Sequence, residues 1–420
     1  MRPHRFLDHP FRQAVLDEVH ARPIEFVACP ARVRRVALLL PQNANAVAEA
    51  HRLFSDWCAH AGQPRPAEQA RQHSFDVDGR HVTWELHTEF VTLTWADQIE
   101  GAENWPREIG LEAFEGEMLI AAARIDVIDG TKVPEEILGG FQRASLCASI
   151  VEDGQGQVAT DFVTDPDGFT RFELAAGEIG ALRRAIIVRR LLEIETYRAL
   201  ALLGLPLARS VSPDLRSAET KLSALVEGMV YATTTDQAQA ALSALHALSV
   251  KTGELLERTS YRFAASHAYG DVLRTRLKGL GEQPIEAAST LERYLGNRID
   301  PALATCLAVE KREAALAEKI ERATELLNTR ISLDIQTQNK EVLNTIANTA
   351  RSQFRLQRTV EGLSTIAITY YLLGILGYVL NAVTEFAHVS KPLVIALAAP
   401  VVLFGVWLLI RSVRDHFRED

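Results

Sequence analysis

The chain has 420 residues, of which 24% are charged and 47% are apolar, and its formal net charge is −9. This is the balance of a globular protein, and the acidic excess argues against a general nucleic-acid surface. The four cysteines are scattered and form no CxxC pair, which argues against a zinc knuckle or a disulfide framework.

Residues 1–175 alternate between short apolar runs and turn signals, a pattern that predicts an α/β domain. The predicted elements are strands at 34–41, 74–77, 81–95 (broken once), 118–127, 157–164 and 169–174, and a helix at 45–60. The dipeptide Asp78-Gly79 and the segment 165–168 (DPDG) predict tight turns, since both are rich in residues that accept turn geometry.

Residues 176–300 predict a helical region. Gly204 and Pro206 are expected to end its first helix, and Ser212 is expected to cap the next one. Residues 301–362 predict one long stalk helix, because no glycine occurs in this segment before Gly362 and no proline follows Pro301 until Pro392.

Two uncharged apolar stretches, 363–383 and 392–410, each have the length that a helix needs to cross a bilayer. The predicted class is therefore α+β, with an N-terminal α/β domain, a helical middle, a stalk helix and a transmembrane hairpin over 363–410. The N-terminus has no apolar run of the kind found in secretory signals. The residues that flank the hairpin are basic: Arg351, Arg355, Arg358, Arg411, Arg414 and Arg418. The positive-inside rule then predicts a membrane protein with both termini in the cytoplasm.

The first candidate site is the stretch from His9 to Pro23, in which Glu18 and His20 end a short helical pattern. An imidazole and a carboxylate so close together could bind a metal or transfer a proton. The alternative is structural, with His20 capping the helix end and Arg22 pairing with a carboxylate.

The second candidate site is the run 84–90 (WELHTEF). In a single strand, period two would place Glu85, His87 and Glu89 on one face, where they could hold a divalent cation. The solvent-exposed face of an antiparallel sheet would show the same pattern. No cofactor is identified beyond this cation.

The third set of candidates lies in the stalk and the first span. Its members are polar or small: Asn344, Asn348, Thr365, Thr369, Gly374, Gly377, Asn381 and Glu385. They could line a path along the axis of a homo-oligomer, or they could be solvated positions, helix-packing glycines and hydroxyls that bond back to the helix. The GxxxxGK[ST], GxGxxG, GxSxG and HExxH motifs are absent, which gives no support to an enzyme.

These features together resemble the bacterial DUF3422 family over essentially the whole chain. The residues that carry the resemblance are His9-Pro10, Glu18-Val19-His20-Ala21-Arg22-Pro23, His87-Thr88-Glu89-Phe90 and the hairpin after Leu363. That family is described as predicted membrane-anchored proteins of unknown function, so the resemblance implies a lipid-bilayer anchor and no particular activity.

The order of elements is also similar to that of CorA-type magnesium channels, which are pentamers with the stalk and first span lining the pore. Those channels carry Gly-Met-Asn at the end of the first span, where this chain has 377–381 (GYVLN). The similarity implies topology and self-association, but the ion filter does not carry over.

Two functions follow from the sequence. The first is an oligomeric membrane protein of CorA-like build that transports or senses divalent cations. The alternative is a non-transporting anchor or scaffold whose cytosolic domain binds a protein partner. A hydrolase-like enzyme that uses Glu18, His20 or the face of Glu85, His87 and Glu89 is the least supported hypothesis, because no nucleophile and no metal-ligand spacing is specific.

Overall fold

The computed structural model describes residues 7, 9–12, 15–16, 23–100, 103–231, 234–286, 288–387 and 391–416. These residues form one mixed sheet and a set of helices, which confirms the α+β class. The chain divides into two compact units. The first comprises Met1–Tyr231 and Ala240–Thr324, and the second comprises Ala232–Gln239 and Glu325–Asp420.

The described part of the first unit contains a nine-stranded sheet in the order β2-β3-β4-β1-β5-β8-β7-β6-β9. Neighbouring strands are antiparallel, except that β5 and β8 are parallel. The strands are β1 (Ala31–Leu39), β2 (Gln72–Val77), β3 (Arg80–Leu86), β4 (Phe90–Asp97), β5 (Met118–Ile128), β6 (Cys147–Val151), β7 (Gly156–Thr164), β8 (Thr170–Ala175) and β9 (Gln283–Pro284).

Helices account for most of the remaining described residues. They are α1 (Ala46–His60), α2 (Glu135–Leu138), α3 (Ala181–Leu202), α4 (Gly204–Tyr231), α5 (Thr235–Gly279), α6 (Leu291–Ala387) and α7 (Lys391–His416). The predicted long helix is present as α6, and it is longer than predicted because it begins before Pro301 and contains that proline.

Both predicted turns are confirmed. Asp78 and Gly79 have φ values of 51° and 74°, the positive pair that joins two antiparallel strands in the hairpin β2–β3. In the turn between β7 and β8, Asp165 Oδ1 accepts hydrogen bonds from the backbone nitrogens of Asp167 and Phe169. The side chain thus closes the turn together with the backbone, where the carbonyl oxygen of Asp165 accepts from the nitrogen of Gly168 at 2.9 Å.

The predicted cap at Ser212 is wrong. Ser212 lies inside α4, where its Oγ donates to the carbonyl oxygen of Ala208 at 2.6 Å. Pro213 follows within the same helix and removes one backbone donor, but burial of Val211 and Leu215 on either side keeps the segment helical. Tertiary packing therefore overrides the local break signal.

The sheet is covered on both faces, and the side chains of β1 accordingly alternate between two hydrophobic cores. Val33 belongs to a core that includes Ile187 and Leu191 of α3. Val36 belongs to the other core, which includes Phe54 of α1. The second half of β1, 36–39 (VALL), is the continuous apolar run of a buried central strand, whereas its first half carries arginines.

The helices α4, α5 and the first part of α6 pack together in the first unit. On α5 one set of buried positions recurs every seven residues: Leu245, Thr252, Thr259, Ser266 and Leu273. The same spacing appears on α6 at Ile299, Cys306, Glu313 and Ile320. Period seven is typical of helices that pack along a shared seam. At one end of the bundle a Cβ on Gly204 would lie 2.7 Å from Ser266 Oγ, so this helix start requires glycine.

The second unit contains the rest of α6 and all of α7. Its large apolar side chains face outwards: Ile346, Leu356 and Leu363 on α6 are 59%, 67% and 70% exposed. The two helices approach each other near Gly377, where a Cβ would lie 3.7 Å from Ile395 Cδ1. The small residue therefore lies at a helix–helix contact.

Candidate functional site

The connection between β3 and β4 determines where the second set of candidate residues lies. β3 ends at Leu86 and β4 begins at Phe90, so Glu85, His87 and Glu89 do not share one strand face, contrary to the sequence prediction. The backbone nitrogen of His87 donates to the carbonyl oxygen of Phe90 at 2.9 Å, and the His87 ring stacks on the Phe90 ring at 4.1 Å. Residues 87–89 therefore form a turn, and their side chains do not follow the alternation between faces that β3 shows.

Glu85 is buried on the face of the sheet that packs against α3. Arg35 Nη2 donates to Glu85 Oε2 at 2.9 Å, and Arg189 Nη2 lies 3.5 Å from Oε1. The hydroxyl of Thr92 donates to the same carboxylate at 3.3 Å. Two guanidinium groups compensate the charge of Glu85, so a divalent cation would gain little electrostatic attraction from this carboxylate.

Glu89 makes a separate ion pair. Arg262 of α5 binds it through two hydrogen bonds of 3.0 and 2.8 Å, and the hydroxyl of Tyr261 donates to it at 3.0 Å. Burial, together with this carboxylate, raises the pKa of Tyr261. These contacts join the β3–β4 turn to α5. Within the part of the chain that the structure describes, no group of three or more His, Cys, Asp or Glu residues could hold a metal ion.

A cavity of about 70 Å³ lies between the sheet and α3, under the segment 23–27. Its apolar wall includes Val33, Val188 and Leu192. Its polar end contains the cluster of Arg35, Glu85 and Arg189 described above. The volume exceeds the roughly 15 Å³ that a single water needs, so small polar molecules fit. Two guanidiniums that share one carboxylate could exchange that carboxylate for a small anion.

The first candidate site runs up to this cavity. Glu18 and His20 lie outside the described residues, whereas Pro23 is described and lines the cavity. Glu25 fastens the segment to the edge of the sheet, because Ser74 Oγ donates to its Oε1 at 3.0 Å and His81 Nε2 lies 3.3 Å from its Oε2. The cavity therefore brings together the end of the His9–Pro23 stretch and Glu85, which are far apart in the sequence.

A charged layer on the opposite face of the sheet was not predicted. Arg34 is fully buried, and it donates to Asp97 Oδ2 and to Asn104 Oδ1, each at 3.0 Å. Burial lowers the pKa of Arg34 to about 10, which leaves it charged at neutral pH. Arg32 donates two hydrogen bonds to Asp126 on the neighbouring strand. The sequence signal that could have predicted this layer is the pair Arg32 and Arg34, which occupy alternate positions of the buried strand β1.

Glu173 lies beside this layer and is 4% exposed. Its nearest ion-pair contact is Arg171 Nε at 3.7 Å, too long for a hydrogen bond, and Asp126 is its register partner across β5 and β8. Burial first, and then the charge of Asp126, raise the pKa of Glu173 to about 7. Glu173 can therefore take up or release a proton near neutral pH.

Glu313 is a second buried acid, placed in the helix bundle. Its Oε2 lies 2.8 Å from the hydroxyl of Thr259, which also lies 3.0 Å from the carbonyl oxygen of Leu255. The single hydroxyl proton of Thr259 cannot serve both acceptors. A protonated Glu313 would instead donate to the Thr259 oxygen, and the hydroxyl proton would remain for the carbonyl oxygen of Leu255. Burial raises the pKa of Glu313, in agreement with that arrangement.

The third set of candidates lies in the second unit. Asn344 and Asn348 are exposed on α6. The hydroxyls of Thr365 and Thr369 donate to carbonyl oxygens four residues earlier in the helix, at 2.8 and 2.7 Å. Gly377 marks the contact with α7, whereas open space surrounds Gly374. Asn381 and Glu385 lie in the last turns of α6, and their side chains are outside the described set.

Two described helices are long and apolar enough to cross a membrane. Their spans fall within Leu291–Val379 and Ile395–Ser412, with mean hydropathies of 1.5 and 2.0. Length and composition alone make the chain compatible with membrane association. The fold thus defines a class of α+β protein with a mixed sheet, a helix bundle and a C-terminal apolar helix hairpin.

The family model described as "Protein of unknown function (DUF3422)" matches residues 7–417, and the chain belongs to that family. No curated protein and no solved structure matches the chain.

Proposed function

We propose that the chain is a membrane-anchored protein whose apolar hairpin inserts into the bacterial inner membrane. The sheet and the helix bundle stay in the cytoplasm, where they bind a protein partner. The observation that carries this proposal is the outward exposure of apolar side chains in both spans. Only 11% of the apolar window in α6 and none of that in α7 is buried. In water each Å² of such surface costs about 25 cal/mol, and a bilayer removes that cost.

The charges around the hairpin support an orientation with both ends in the cytoplasm. Arg351, Arg355 and Arg358 precede the first span, and Arg411 follows the second. The connection between the spans carries only Lys391 as a basic residue. Arginines near the ends of spans stay preferentially on the cytoplasmic side.

Support for a protein partner comes from the first unit. Val230 and Tyr231 at the end of α4 are 74% and 80% exposed, and Val250 on α5 is 65% exposed. Single exposed apolar side chains are normal on a folded unit, so the adjoining pair Val230 and Tyr231 is the better candidate for a contact surface.

An extraction experiment on the full chain tests the anchor. We expect the protein to stay in the membrane pellet after washes with high salt and with alkaline carbonate. The double variant Ile375→Arg/Val401→Arg places a charge in each span, at a cost of about 3 kcal/mol per charge, and should be released. Its matched control, Ile375→Ala/Val401→Ala, should remain in the pellet. Release of the unchanged chain by carbonate would disprove the anchor.

Transport of divalent cations by an oligomer is the competing proposal. The exposed apolar side chains of α6 support self-association under either proposal, whereas the bonded hydroxyls of Thr365 and Thr369 favour the anchor. We expect purified full-length protein to form a homo-oligomer by light scattering in detergent. In liposomes it should give no more magnesium flux than protein-free vesicles. Flux above that background would establish transport and overturn the proposal that the anchor is non-transporting.

A further inference from the structure

The segment of α6 that leads into the first apolar span carries a stripe of three arginines, Arg351, Arg355 and Arg358. Their spacings of four and three residues place them on one face of the helix. All three are exposed, and none forms an ion pair with another described residue. No acidic residue occurs between Glu341 and Glu361, so this stretch is purely basic within a chain of net charge −9.

The stripe ends, at Arg358, at the depth where phospholipid headgroups begin. Arg358 precedes Leu363 by five residues, or about 7 Å along the helix. A groove between α6 and α7 is lined by Val360, Ser364 and Ile410. The next residue, Arg411, therefore lies at about the level where the first span starts. Arg411 stacks over the Trp407 ring at 5.3 Å, and tryptophan next to a cation is typical of a membrane boundary.

We propose that the stripe of Arg351, Arg355 and Arg358 binds the headgroups of anionic phospholipids in the cytoplasmic leaflet. This inference rests on the membrane anchor proposed above and names the lipid class that the anchor selects. Guanidinium groups bind phosphate oxygens through paired, charge-assisted hydrogen bonds. An acidic protein is repelled by an anionic bilayer, and a basic stripe at the boundary reverses that repulsion locally.

Lipid selection by the full chain is the direct test. The protein is reconstituted into vesicles of equal parts phosphatidylglycerol and phosphatidylcholine and then extracted in mild detergent. The ratio of the two co-purified lipids is measured by mass spectrometry. We expect phosphatidylglycerol to be enriched over the vesicle ratio, by up to about fivefold for each arginine at low salt. The triple variant Arg351→Gln/Arg355→Gln/Arg358→Gln should return to the vesicle ratio.

Two matched variants separate charge from other effects. Replacement of the same three arginines by lysine keeps the charge and should retain most of the enrichment. Lys340→Gln removes a charge about 35 Å before the span, beyond the screening length of about 10 Å, and should change nothing. Enrichment that survives in the glutamine variant, or that is absent from the wild type, would overturn the proposal.

Flotation of the vesicles distinguishes the two proposals. Protein that floats with the vesicles but shows no lipid preference contradicts the arginine stripe alone, whereas protein that does not float contradicts the anchor. Inorganic phosphate is added in parallel with a chloride control of equal ionic strength. Loss of enrichment with phosphate only would assign the stripe to free phosphate and overturn the lipid assignment.

Discussion

Replacement of Glu85 by alanine is expected to destabilise the first unit by about 3–5 kcal/mol. The reason is that Arg35 would remain buried beside the cavity without its carboxylate, while Arg189 would keep only its ion pair with Glu193 at 3.1 Å. Urea unfolding measures the effect, followed by the fluorescence of Trp84 and Trp95, which are fully buried in the same unit.

Two comparisons make the Glu85 result specific. Glu49→Ala removes an exposed carboxylate on α1 that lies 3.7 Å from Arg52, and it should change the free energy of unfolding by less than about 0.5 kcal/mol. The double variant Arg35→Met/Glu85→Leu replaces the buried pair by apolar groups and should recover much of the loss. A loss no larger for Glu85→Ala than for Glu49→Ala would show that the ion pair contributes little.

Glu173→Gln is expected to stabilise the protein at neutral and higher pH. The folded state raises the pKa of Glu173 from 4.5 to about 7, so it binds a proton more tightly than the unfolded chain does. The contribution of Glu173 to the free energy of unfolding is then fully present below about pH 4.5, and it is lost as the pH rises to about 7. By linkage the loss amounts to roughly 3 kcal/mol, and the neutral amide avoids it.

Unfolding midpoints measured from pH 5 to pH 8 test this expectation. The wild type should lose stability across that range, and Glu173→Gln should lose less, so that the two curves separate as the pH rises. Glu115→Gln, which changes an exposed carboxylate, should follow the wild type. Parallel curves for wild type and Glu173→Gln would show that Glu173 is ionised in the folded state throughout.

Prediction succeeded where the signal is local. Asp78-Gly79 predicts its turn because few residue pairs accept two positive φ angles in succession. The length of α6 follows from the scarcity of glycine and proline, and the two spans follow from apolar runs without charges. Each of these properties belongs to a few neighbouring residues or to one continuous segment.

Prediction failed where distant residues decide the outcome. Ser212 and Pro213 are a sound helix start, yet burial of Val211 and Leu215 makes them the interior of α4. Glu85 and Glu89 look like one acidic strand face, but they meet arginines from other parts of the chain. The sequence shows the carboxylates and does not show which cations the fold brings to them.

The sequence by itself therefore determined the α+β class, the long helix and the apolar hairpin, because helix length and hydrophobicity are properties of continuous segments. Only the tertiary structure decided the environment of each charge. It placed Arg35 and Arg189 around Glu85, and it left Glu173 with its nearest guanidinium, that of Arg171, beyond hydrogen-bonding distance at 3.7 Å. Electrostatic free energy depends on distance and burial, and for residues far apart in the chain these are settled only when the sheet and helices pack.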